Sequence, residues 1–473
     1  MSQPEHRSVG MRRIKHIHFV GIAGAGMAGI AQVLLTEGYV ISGSDPVSNH
    51  LTDTLQALGA KIKPYHDAQT ILQADIAIDV VVVSSAISAD NIEVLAAKSK
   101  RIPIVRRAEM LAELMRFRQG IAVAGTHGKT TTTSILASIF AAGGLDPTYV
   151  IGGKLMSAGN HAKLGLGKYL IAEADESDAS FLHLNPTLAI VTNIDKDHMS
   201  TYEGDFSKLK KTFIEFLHNL PFYGLAVLCA DCPVIQEILS EAARPVLSYG
   251  FSEGADYQIQ AFQQIGMQSQ FTVNRPYGLK PLEILFNMPG KYNALNALAG
   301  IVVATEEGVS DEVILGALSE FKGVGRRMQV HGEFNHILLV DDYGHHPKEV
   351  EVSIEALKQA YPDRRLVVVF QPHRYSRTQD CFDDFLKLLS GLDCLILLEV
   401  YSAGEAFIPG ADSQALLGAM RQQGKVQALF ASDQAELEGV LKALIEPNDV
   451  ILMIGAGNIG AMAANLAHRA LVL

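Results

Sequence analysis

The residues that most clearly indicate chemistry occupy positions 125–133 and read GTHGKTTTT. They follow a short apolar stretch at 121–124 and open a run of small residues that favours a helix. In such a turn, glycines let backbone N–H groups surround phosphate oxygens, while the helix N-terminus and Lys129 supply positive charge. Thr130 comes next and offers a hydroxyl to Mg²⁺. The segment therefore predicts a nucleoside triphosphate site.

This glycine loop departs from the common phosphate-binding pattern GxxxxGK[ST], because Val123 stands where that pattern has its first glycine. A glycine-rich turn with an incidental lysine is the alternative. The Gly-Lys-Thr sequence at the helix start and the four consecutive threonines favour phosphate binding. The residues predicted to bind the triphosphate are Gly125, Thr126, His127, Gly128, Lys129, Thr130 and Thr131.

Two acidic segments follow other strand-like stretches. EADESD at 173–178 has four carboxylates in six positions, and NIDKDH at 193–198 adds two aspartates and His198. Carboxylates at this density repel a triphosphate unless divalent cations lie between them, although a solvated acidic turn is the alternative. With the glycine loop, the segments predict sites for two Mg²⁺ ions, or Mn²⁺ in their place, along a phosphoryl-transfer path.

The elements that position these residues follow a regular order. The chain has 473 residues, which is too many for one core and suggests about three domains. Short apolar stretches alternate with helical segments, which predicts α/β domains built on parallel, doubly wound sheets. The expected domains are 1–118, 119–323 and 324–473. In such sheets ligands bind at the carboxyl ends of the strands, where the glycine loop and both acidic segments lie.

Composition narrows the range of functions. With 48% hydrophobic residues and a formal charge of −12, the chain has no overall surface for nucleic acid, so anionic ligands need local basic pockets. Four scattered cysteines and the lack of an apolar run of about 20 residues predict a cytoplasmic protein without membrane insertion. The C-x-x-C at 229–232 has no second close pair, which favours buried or turn cysteines over a redox or zinc site.

A second glycine loop, GIAGAGMAG, lies at 21–29 between a strand-like stretch and a helix. The glycines that fit GxGxxG are Gly24, Gly26 and Gly29. Asp45 follows about 20 residues later, as in Rossmann folds that bind a dinucleotide, so NAD is one candidate ligand. The polar turn Ser84-Ser85 ends another strand of the expected sheet and should lie near this loop.

Two loops near the C-terminus concentrate histidines and arginines: DDYGHHP at 341–347 and QPHRYSR at 371–377. They follow strand-like stretches and are expected to share one sheet edge. Arg374 and Arg377 suit a carboxylate or phosphate, with surface solvation as the alternative. A further GxGxxG, at 455–460, has no strand after it to carry a ribose-binding acid, so we expect only a tight strand-to-helix turn.

The segment MPGKYNALN at 288–296 predicts a turn and a helix start, with Asn293 and Asn296 on one helical face. Two uses are open to these amides, because they suit the edge of an adenine ring and also the capping of the helix. Spacing alone does not separate the two.

Seven ordered motifs resemble those of the Mur ligase family of bacterial cell-wall synthesis, and they extend over nearly the whole chain. They are GIAGAGMAGIA from Gly21, GTHGKTTTT from Gly125, EADESDASFL from Glu173, TNIDKDHM from Thr192, GVGRR from Gly323, DDYGHHP from Asp341 and FQPHRYSRT from Phe370. The sequence departs from the family pattern at Tyr292, where histidine is usual, and at Ser200, where aspartate is usual. Tyr292 keeps a stacking surface for adenine but loses an imidazole hydrogen bond.

The resemblance implies a three-domain enzyme that uses ATP to join an amino acid to a UDP-sugar. The loop at 21–29 would then hold the diphosphate of UDP-N-acetylmuramate and not that of NAD. The residues assigned to this substrate are Gly24, Ala25, Gly26, Met27, Asp45, Ser84 and Ser85. Thr130 and Glu173 would hold one Mg²⁺, and His198 would help to hold the second.

The resemblance also implies roles for other residues. Asn293 and Asn296 would recognise adenine, Arg327 the γ-phosphate and Asp342 the ribose of ATP. The residues expected around the incoming L-alanine are Tyr343, His345, His373, Arg374 and Arg377. The residues expected in catalysis are Lys129, Glu173, His198, Arg327 and His345.

The expected reaction follows from charge. A substrate carboxylate attacks the γ-phosphate only when both anions are aligned and neutralised, here by Lys129, Arg327 and two Mg²⁺ ions. The resulting acyl phosphate is captured by the uncharged amine of L-alanine.

Three alternatives stay open: an NAD(P)-dependent oxidoreductase, a nucleotide-driven switch, and a ligase of the same family that attaches a preformed peptide. Monomer and homodimer are both compatible with the sequence.

Overall fold

A computed structural model describes residues 11–84, 86–116, 118–156, 160–423 and 426–470. The described strands form three sheets, of five, ten and six strands. The chain also separates into two compact units. The first unit comprises Met1–Gln260, Thr272–Leu282 and Leu295–Leu318, and the second comprises Ala261–Phe271, Glu283–Ala294 and Ser319–Leu473.

The first sheet lies in the first unit. Its strands are β1 His16–Val20, β2 Val40–Ser44, β3 Lys61–Lys63, β4 Val80–Val83 and β5 Ile104–Arg106. Its helices are α1 Ala25–Thr36, α2 His50–Ala57, α3 Ala68–Leu72, α4 Ile92–Ser99 and α5 Arg107–Met115. The strands are parallel, in the order β3-β2-β1-β4-β5. Strand order reverses between β1 and β4, so the loops after these two strands flank the crevice in which doubly wound sheets bind ligands.

The glycine loop predicted to bind the triphosphate, which begins at Gly125, follows a strand of the second sheet. Its strands are β6 Gln119–Ala124, β7 Thr148–Leu155, β8 Asn160–Lys163, β9 Tyr169–Glu173, β10 Leu188–Val191, β11 Leu225–Cys229, β12 Val246–Gly250, β13 Tyr257–Ile265, β14 Gln268–Asn274 and β15 Leu282–Phe286. Its helices are α6 Lys129–Ala142, α7 Phe206–His218, α8 Pro233–Ile238, α9 Lys291–Glu306 and α10 Asp311–Ser319, with 3₁₀ turns at Ser180–His183, Met199–Tyr202 and Leu239–Glu241. The strand order is β15-β14-β13-β12-β11-β10-β6-β9-β7-β8, and β13 to β15 include residues of both units.

Within this sheet, β6 lies between β9 and β10 and is parallel to both. Val123 is opposite Glu173, and Ala124 is opposite Val191. The three strands therefore end at the same level, which places one acidic segment on each side of the loop after β6.

Helix α6 forms from a sequence with poor intrinsic helix propensity, because its first turns contain four β-branched threonines. The Thr133 hydroxyl donates to the carbonyl of Lys129 at 2.8 Å, and the Ser134 hydroxyl donates to that of Thr130 at 2.7 Å. Thr130 to Thr133 are all buried. The hydroxyls of Thr133 and Ser134 thus find partners along their own helix, which lets these polar side chains be buried.

The third sheet lies in the second unit. Its strands are β16 Gln329–Phe334, β17 Ile337–Asp342, β18 Leu366–Phe370, β19 Cys394–Leu398, β20 Gln427–Ala431 and β21 Val450–Ile454. Its helices are α11 Pro347–Ala360, α12 Tyr375–Asp380, α13 Phe382–Leu389, α14 Ser413–Gln423, α15 Gln434–Leu444 and α16 Ile459–His468. The order is β16-β17-β21-β18-β19-β20, with β16 antiparallel to β17. Ile454 pairs with both Asp342 and Phe370, so the loops after β17, β18 and β21 leave one sheet edge, as predicted.

Both faces of the third sheet are covered by apolar cores. Val368 and Phe370 belong to one core and Val367 and Val369 to the other, because successive side chains of a strand point to opposite faces. Burying each such side chain contributes about 1.5–3 kcal/mol. This packing fixes the strand ends from which the histidine and arginine loops extend. Among the described helices, none is long and apolar enough to cross a bilayer.

Candidate functional site

The loop after β6 requires glycine at two positions. Gly125 has a φ of +129°, and Gly128, which precedes α6, has a φ of +85°, values that side chains rarely allow. A Cβ atom at Gly125 would collide with the Thr192 hydroxyl, and one at Gly128 would lie 2.5 Å from Asn296 Oδ1. A close-packed turn of this kind, leading into a helix N-terminus, is the backbone shape that binds phosphate.

Asn193, in the loop after β10, holds this turn in place. Its carbonyl accepts from the N–H of Thr126 at 3.0 Å, and its side-chain oxygen accepts from the N–H of His127 at 2.8 Å. Its amide group donates to the His127 carbonyl at 3.0 Å. Each such bond contributes about 1 kcal/mol. Asn193 was not among the predicted site residues, although it lies in a predicted acidic segment.

Lys129 lies among acidic groups. Its ammonium donates to the carbonyls of Gly125 and Thr126 at 2.6 and 3.1 Å and to both carboxylate oxygens of Glu176 at 3.0 and 2.8 Å. Burial lowers the pKa of Lys129, but the charges of Glu176 and Asp175 outweigh burial, and the net shift is upward. The lysine therefore stays charged, as contact with a triphosphate requires.

Glu176 is a second residue of this site that the sequence did not single out. It is 3% exposed, and burial raises its pKa to about 7, against the opposing charge of Lys129. The Tyr202 hydroxyl donates to its carbonyl. The neighbouring Asp175 also feels burial, but Lys129 and Arg107 lower its pKa overall. Two acidic side chains thus act on the lysine, and Asp175 loses its proton at a lower pH than Glu176 does.

The predicted magnesium ligands lie at the same sheet edge. Thr130 is in the first turn of α6, and Glu173 ends β9, where it accepts from the N–H of Gly152 at 2.7 Å. His198 follows β10 with a φ of +52°, and its Nε2 lies 3.5 Å from Asp197 Oδ2. Hydroxyl and carboxylate oxygens are the donors that Mg²⁺ prefers, so Thr130 and Glu173 fit the ion. In the described part of the chain, no three His, Cys, Asp or Glu side chains form a metal cluster. The metal assignment stays a prediction.

The loop after β1 leads into α1, with Gly24 at the position before the helix. Asp45 holds this loop through its carboxylate, which accepts from the N–H of Ala23 at 2.9 Å. The carboxylate also accepts from the N–H of Val47 at 2.9 Å, in the segment after β2. The acid that the dinucleotide pattern assigns to a ribose thus contacts backbone. The remaining residues predicted for the UDP-sugar are Ala25, Gly26 and Met27 in the first turn of α1 and Ser84 after β4, whereas Ser85 lies outside the described residues.

Arg107 adds positive charge to this loop. A Cβ atom at Gly26 would lie 3.3 Å from its guanidinium, and its Nη2 lies 3.4 Å from Asp175 Oδ2. An arginine at a helix N-terminus complements a diphosphate. Arg107 was not among the predicted site residues, although it follows β5, at the carboxyl end of a strand of the doubly wound sheet.

The two predicted adenine-binding asparagines fall in different units. In the first unit, Asn296 is buried and its Oδ1 accepts from the Thr132 hydroxyl at 3.2 Å. In the second unit, Asn293 is buried and its Nδ2 donates to the Pro289 carbonyl at 2.8 Å. Tyr292 packs against the core of the third sheet. Both amides therefore have structural contacts, and adenine recognition stays a prediction.

In the second unit, Arg326 fixes the segment that contains Arg327. Its guanidinium donates to the carbonyls of Gly455 and Gly457, the latter at 3.2 Å. Both arginines lie over the Tyr343 ring, at 4.9 and 5.1 Å from its centroid. The turn at 455–460 is thus a tight strand-to-helix turn, as predicted, and it also anchors an arginine. Arg326 itself was not predicted.

Asp342, the predicted ribose ligand, is buried at the end of β17. Its carboxylate accepts from the N–H groups of Met328 and Gly344, each at 2.8 Å. Burial raises its pKa to about 6, although Arg327 opposes the rise. Asp342 therefore also orders the backbone that precedes the predicted amino-acid site.

The residues predicted around the amino acid come together in pairs. The rings of Tyr343 and His345 lie 5.6 Å apart, and those of His345 and His373 lie 5.7 Å apart. Arg377 Nη1 lies 3.3 Å from His373 Nδ1, and Arg374 is half-exposed. Burial and the charges of His345, Arg377 and Arg374 lower the pKa of His373 to about 3. His373 is therefore neutral near pH 7, and this cluster suits an anion such as a carboxylate.

Three family models match consecutive parts of this chain. They are the Mur ligase family catalytic domain over residues 16–119, the Mur ligase middle domain over 123–304, and the Mur ligase glutamate ligase domain over 326–457. Together they extend over the three sheets and over six of the seven motifs, and of GVGRR at 323–327 they include Arg326 and Arg327.

Solved structures similar to this chain are also ligases. A UDP-N-acetylmuramate-alanine ligase from Thermotoga maritima is 28% identical, with a TM-score of 0.81 over 96% of this chain and 98% of that chain. A murein peptide ligase from Psychrobacter arcticus is 24% identical, with a TM-score of 0.71 over 97% and 99%. A UDP-N-acetylmuramate:L-alanyl-gamma-D-glutamyl-meso-diaminopimelate ligase from Neisseria meningitides is 28% identical, with a TM-score of 0.60 over 66% and 100%.

Proposed function

The chain belongs to the Mur ligase family of ATP-dependent amide-bond ligases, and on that premise we propose that it joins L-alanine to the carboxylate of UDP-N-acetylmuramate. Similarity to the Thermotoga maritima alanine ligase, over nearly the full length of both chains, is the observation that carries this proposal. The three-domain α/β fold agrees with it. Membership of the family leaves the oxidoreductase and nucleotide-switch alternatives without support.

In the first step, a carboxylate oxygen of the sugar attacks the γ-phosphorus of ATP, and the bond to the β-phosphate oxygen breaks. ADP leaves, and an acyl phosphate forms. Lys129, fixed beside the turn of Gly125 and Gly128, would neutralise charge on the transferring phosphoryl group. Arg327 would add a second positive charge at the γ-phosphate. The chief work of these residues is alignment of two anions that repel each other.

Thr130, Glu173 and His198 are proposed to hold Mg²⁺, which would supply charge neutralisation at the phosphates and at the substrate carboxylate. Thr130 and Glu173 are well suited by donor chemistry, as described above. The role of His198 is proposed from the family resemblance together with its place after β10.

In the second step, the uncharged amine of L-alanine attacks the acyl carbon. The nitrogen of the tetrahedral intermediate loses a proton to solvent, the bond to the phosphate oxygen breaks, and amide and phosphate are the products. Arg374 and Arg377 would bind the carboxylate of L-alanine, which leaves its amine free to react. His373, neutral because burial lowers its pKa, would lie beside the bound amino acid, next to the His345 ring.

A test of this proposal supplies the purified protein with ATP, Mg²⁺ and UDP-N-acetylmuramate and varies the acceptor. The acceptors are L-alanine, glycine, L-serine and the tripeptide L-alanyl-γ-D-glutamyl-meso-diaminopimelate. We expect phosphate release to depend on L-alanine, with the amide product identified by mass spectrometry. Preference for the tripeptide, or no phosphate with any acceptor, would contradict the proposal.

A peptide ligase acting on the same sugar is the second candidate function. It is favoured by the similarity to the Neisseria meningitides enzyme, which is 28% identical over 66% of this chain. The same acceptor series separates the two candidates, because the two enzymes differ in the amine that they use.

A further inference from the structure

We infer that the loop at residues 399–407, here called the β19 loop, positions the groups proposed to bind L-alanine, with Tyr401 and Glu405 as its two contact residues. The β19 loop lies in the second unit, directly after β19. Neither residue was among the predicted site residues. The inference rests on the proposed function, because it assigns a positioning role beside the same site.

Tyr401 holds His373 through its backbone and its ring. Its N–H donates to the Pro372 carbonyl at 2.9 Å, and its carbonyl accepts from the N–H of Arg374 at 2.8 Å, which forms a parallel bridge around His373. The rings of Tyr401 and His373 are stacked, with centroids 5.6 Å apart and planes 9° apart. Stacking of this kind is worth about 0.5–1.5 kcal/mol beyond the buried area. The orientation of His373 is therefore set from the β19 loop.

Glu405 fixes the start of α12. Arg374 occupies the position before this helix with a φ of +69°, and its side chain does not cap the helix. The carboxylate of Glu405 instead accepts from the N–H of Ser376 at 3.0 Å and from its hydroxyl at 2.7 Å. A carboxylate at a helix N-terminus satisfies an unpaired N–H and complements the helix dipole. Glu405 therefore caps the N-terminus of α12 from the β19 loop, in place of the residue before the helix.

The same carboxylate is oriented toward an arginine of the site. Glu405 Oε1 lies 3.9 Å from Arg374 Nη1. Burial raises the pKa of Glu405, but Ser376 and Arg374 outweigh burial and lower it overall, so the group is ionised at neutral pH. The negative charge of Glu405 restrains the half-exposed Arg374. It also partly offsets the repulsion between Arg374 and Arg377.

The geometry links these contacts to recognition. Helix α12 contains Arg377, whose Nη1 lies 3.3 Å from His373 Nδ1. A shift at the start of α12 therefore moves Arg374 and Arg377 together, relative to His373. Because these groups are proposed to bind the acceptor and not ATP, loss of the β19 loop contacts should raise the KM for the acceptor more than it changes kcat.

The first test replaces Glu405 in the full-length protein. Glu405→Gln should raise the KM for L-alanine about tenfold, as expected for a lost charge-assisted hydrogen bond. The KM values for ATP and UDP-N-acetylmuramate should change less than about twofold, and Glu405→Asp should restore part of the loss. Glu438→Gln is the matched control. It removes a carboxylate of the same unit that lies in α15, away from α12, and that pairs with Arg469 at 2.8 Å. An unchanged KM for L-alanine in Glu405→Gln would overturn the role of Glu405, and so would an equal rise in all three KM values.

The second test uses Tyr401 and stands even if Glu405→Gln fails to fold. Tyr401→Leu keeps the backbone bridge and removes the stacked ring, so the KM for L-alanine should rise about threefold to tenfold, whereas Tyr401→Phe should restore it. Equal KM values for the two variants would overturn the role of the ring.

Failure of the proposed function gives a different result from failure of this inference. If the unmodified protein uses a peptide instead of L-alanine, the proposed function is wrong. The variants are then compared on the acceptor that the unmodified protein uses, and a selective rise in the KM for that acceptor still supports positioning by the β19 loop.

Discussion

The two cationic clusters of this chain are balanced in different ways. In the first unit, Lys129 is buried and already donates to both oxygens of Glu176, with Asp175 nearby. In the second unit, Arg374 lies 3.9 Å from Glu405, while Arg377 lies 3.3 Å from a neutral histidine. We interpret the first as a site that exchanges an internal anion for a triphosphate. We propose that the second keeps positive charge for the carboxylate of an amino acid.

The largest expected effect is that of Lys129→Ala. Removal of the ammonium should lower kcat by about 10³-fold or more, because Lys129 supplies the positive charge beside the carbonyls of Gly125 and Thr126. Binding of UDP-N-acetylmuramate should persist, as calorimetry can measure. Turnover close to that of the unmodified protein would remove Lys129 from the proposed mechanism.

The matching change in the second unit is Arg377→Gln. We expect the KM for L-alanine to rise about 100-fold, because a buried charge-assisted pair to the acceptor carboxylate would be lost. Affinity for ATP should stay within about twofold of that of the unmodified protein, since Arg377 belongs to the proposed acceptor site. Steady-state kinetics with each substrate varied in turn makes this comparison. A larger effect on ATP than on L-alanine would reverse the assignment of the two clusters.

Glu176→Gln tests the exchange of anions at Lys129. The amide removes one negative charge and the ion pair that a triphosphate must displace. Affinity for ADP measured in EDTA should therefore increase about threefold to tenfold. Glu173→Gln is the matched control, because Glu173 is proposed to act through Mg²⁺ and should change nucleotide affinity mainly when Mg²⁺ is present. Weaker ADP binding by Glu176→Gln in EDTA would show that Glu176 is not a competitor for the lysine.

The smallest expected effect concerns the stability of the second unit in acid. Burial and neighbouring positive groups lower the pKa of His373 to about 3, below its ordinary value of about 6.5. Between these values the unfolded chain binds the proton and the folded chain does not, so the free energy of unfolding falls as the pH falls through this window. Thermal unfolding at pH 7 and pH 4.5 should show a larger loss for the unmodified protein than for His373→Gln. Equal losses would contradict the low pKa.

Much of the fold was predictable from sequence because its signals are local. The alternation of strands and helices and the glycine at 128 that precedes Lys129 are each encoded within a few residues. The adjacency of the two acidic segments to the loop after β6 also followed, since parallel strands end at the same sheet edge.

The residues that hold the site residues in place were not predictable from local sequence. Glu176 contacts Lys129 across 47 positions of the chain, and Glu405 contacts Ser376 across 29. Such pairs depend on which strands become neighbours, and neither residue type nor spacing indicates them. Asp45 and Asp342 were assigned to ribose from pattern, yet their carboxylates accept from backbone N–H groups, a local use that the pattern does not distinguish. Their ligand roles stay predictions.

The central claim is that the carboxylate of the sugar is activated as an acyl phosphate. Supplying UDP-N-acetylmuramate with both carboxylate oxygens labelled with ¹⁸O tests it directly, with ATP, Mg²⁺ and L-alanine present. We predict that each phosphate released contains one ¹⁸O atom, because the attacking oxygen leaves with the phosphoryl group, and that the amide keeps the other. Phosphate free of ¹⁸O, formed together with the amide, would contradict the account.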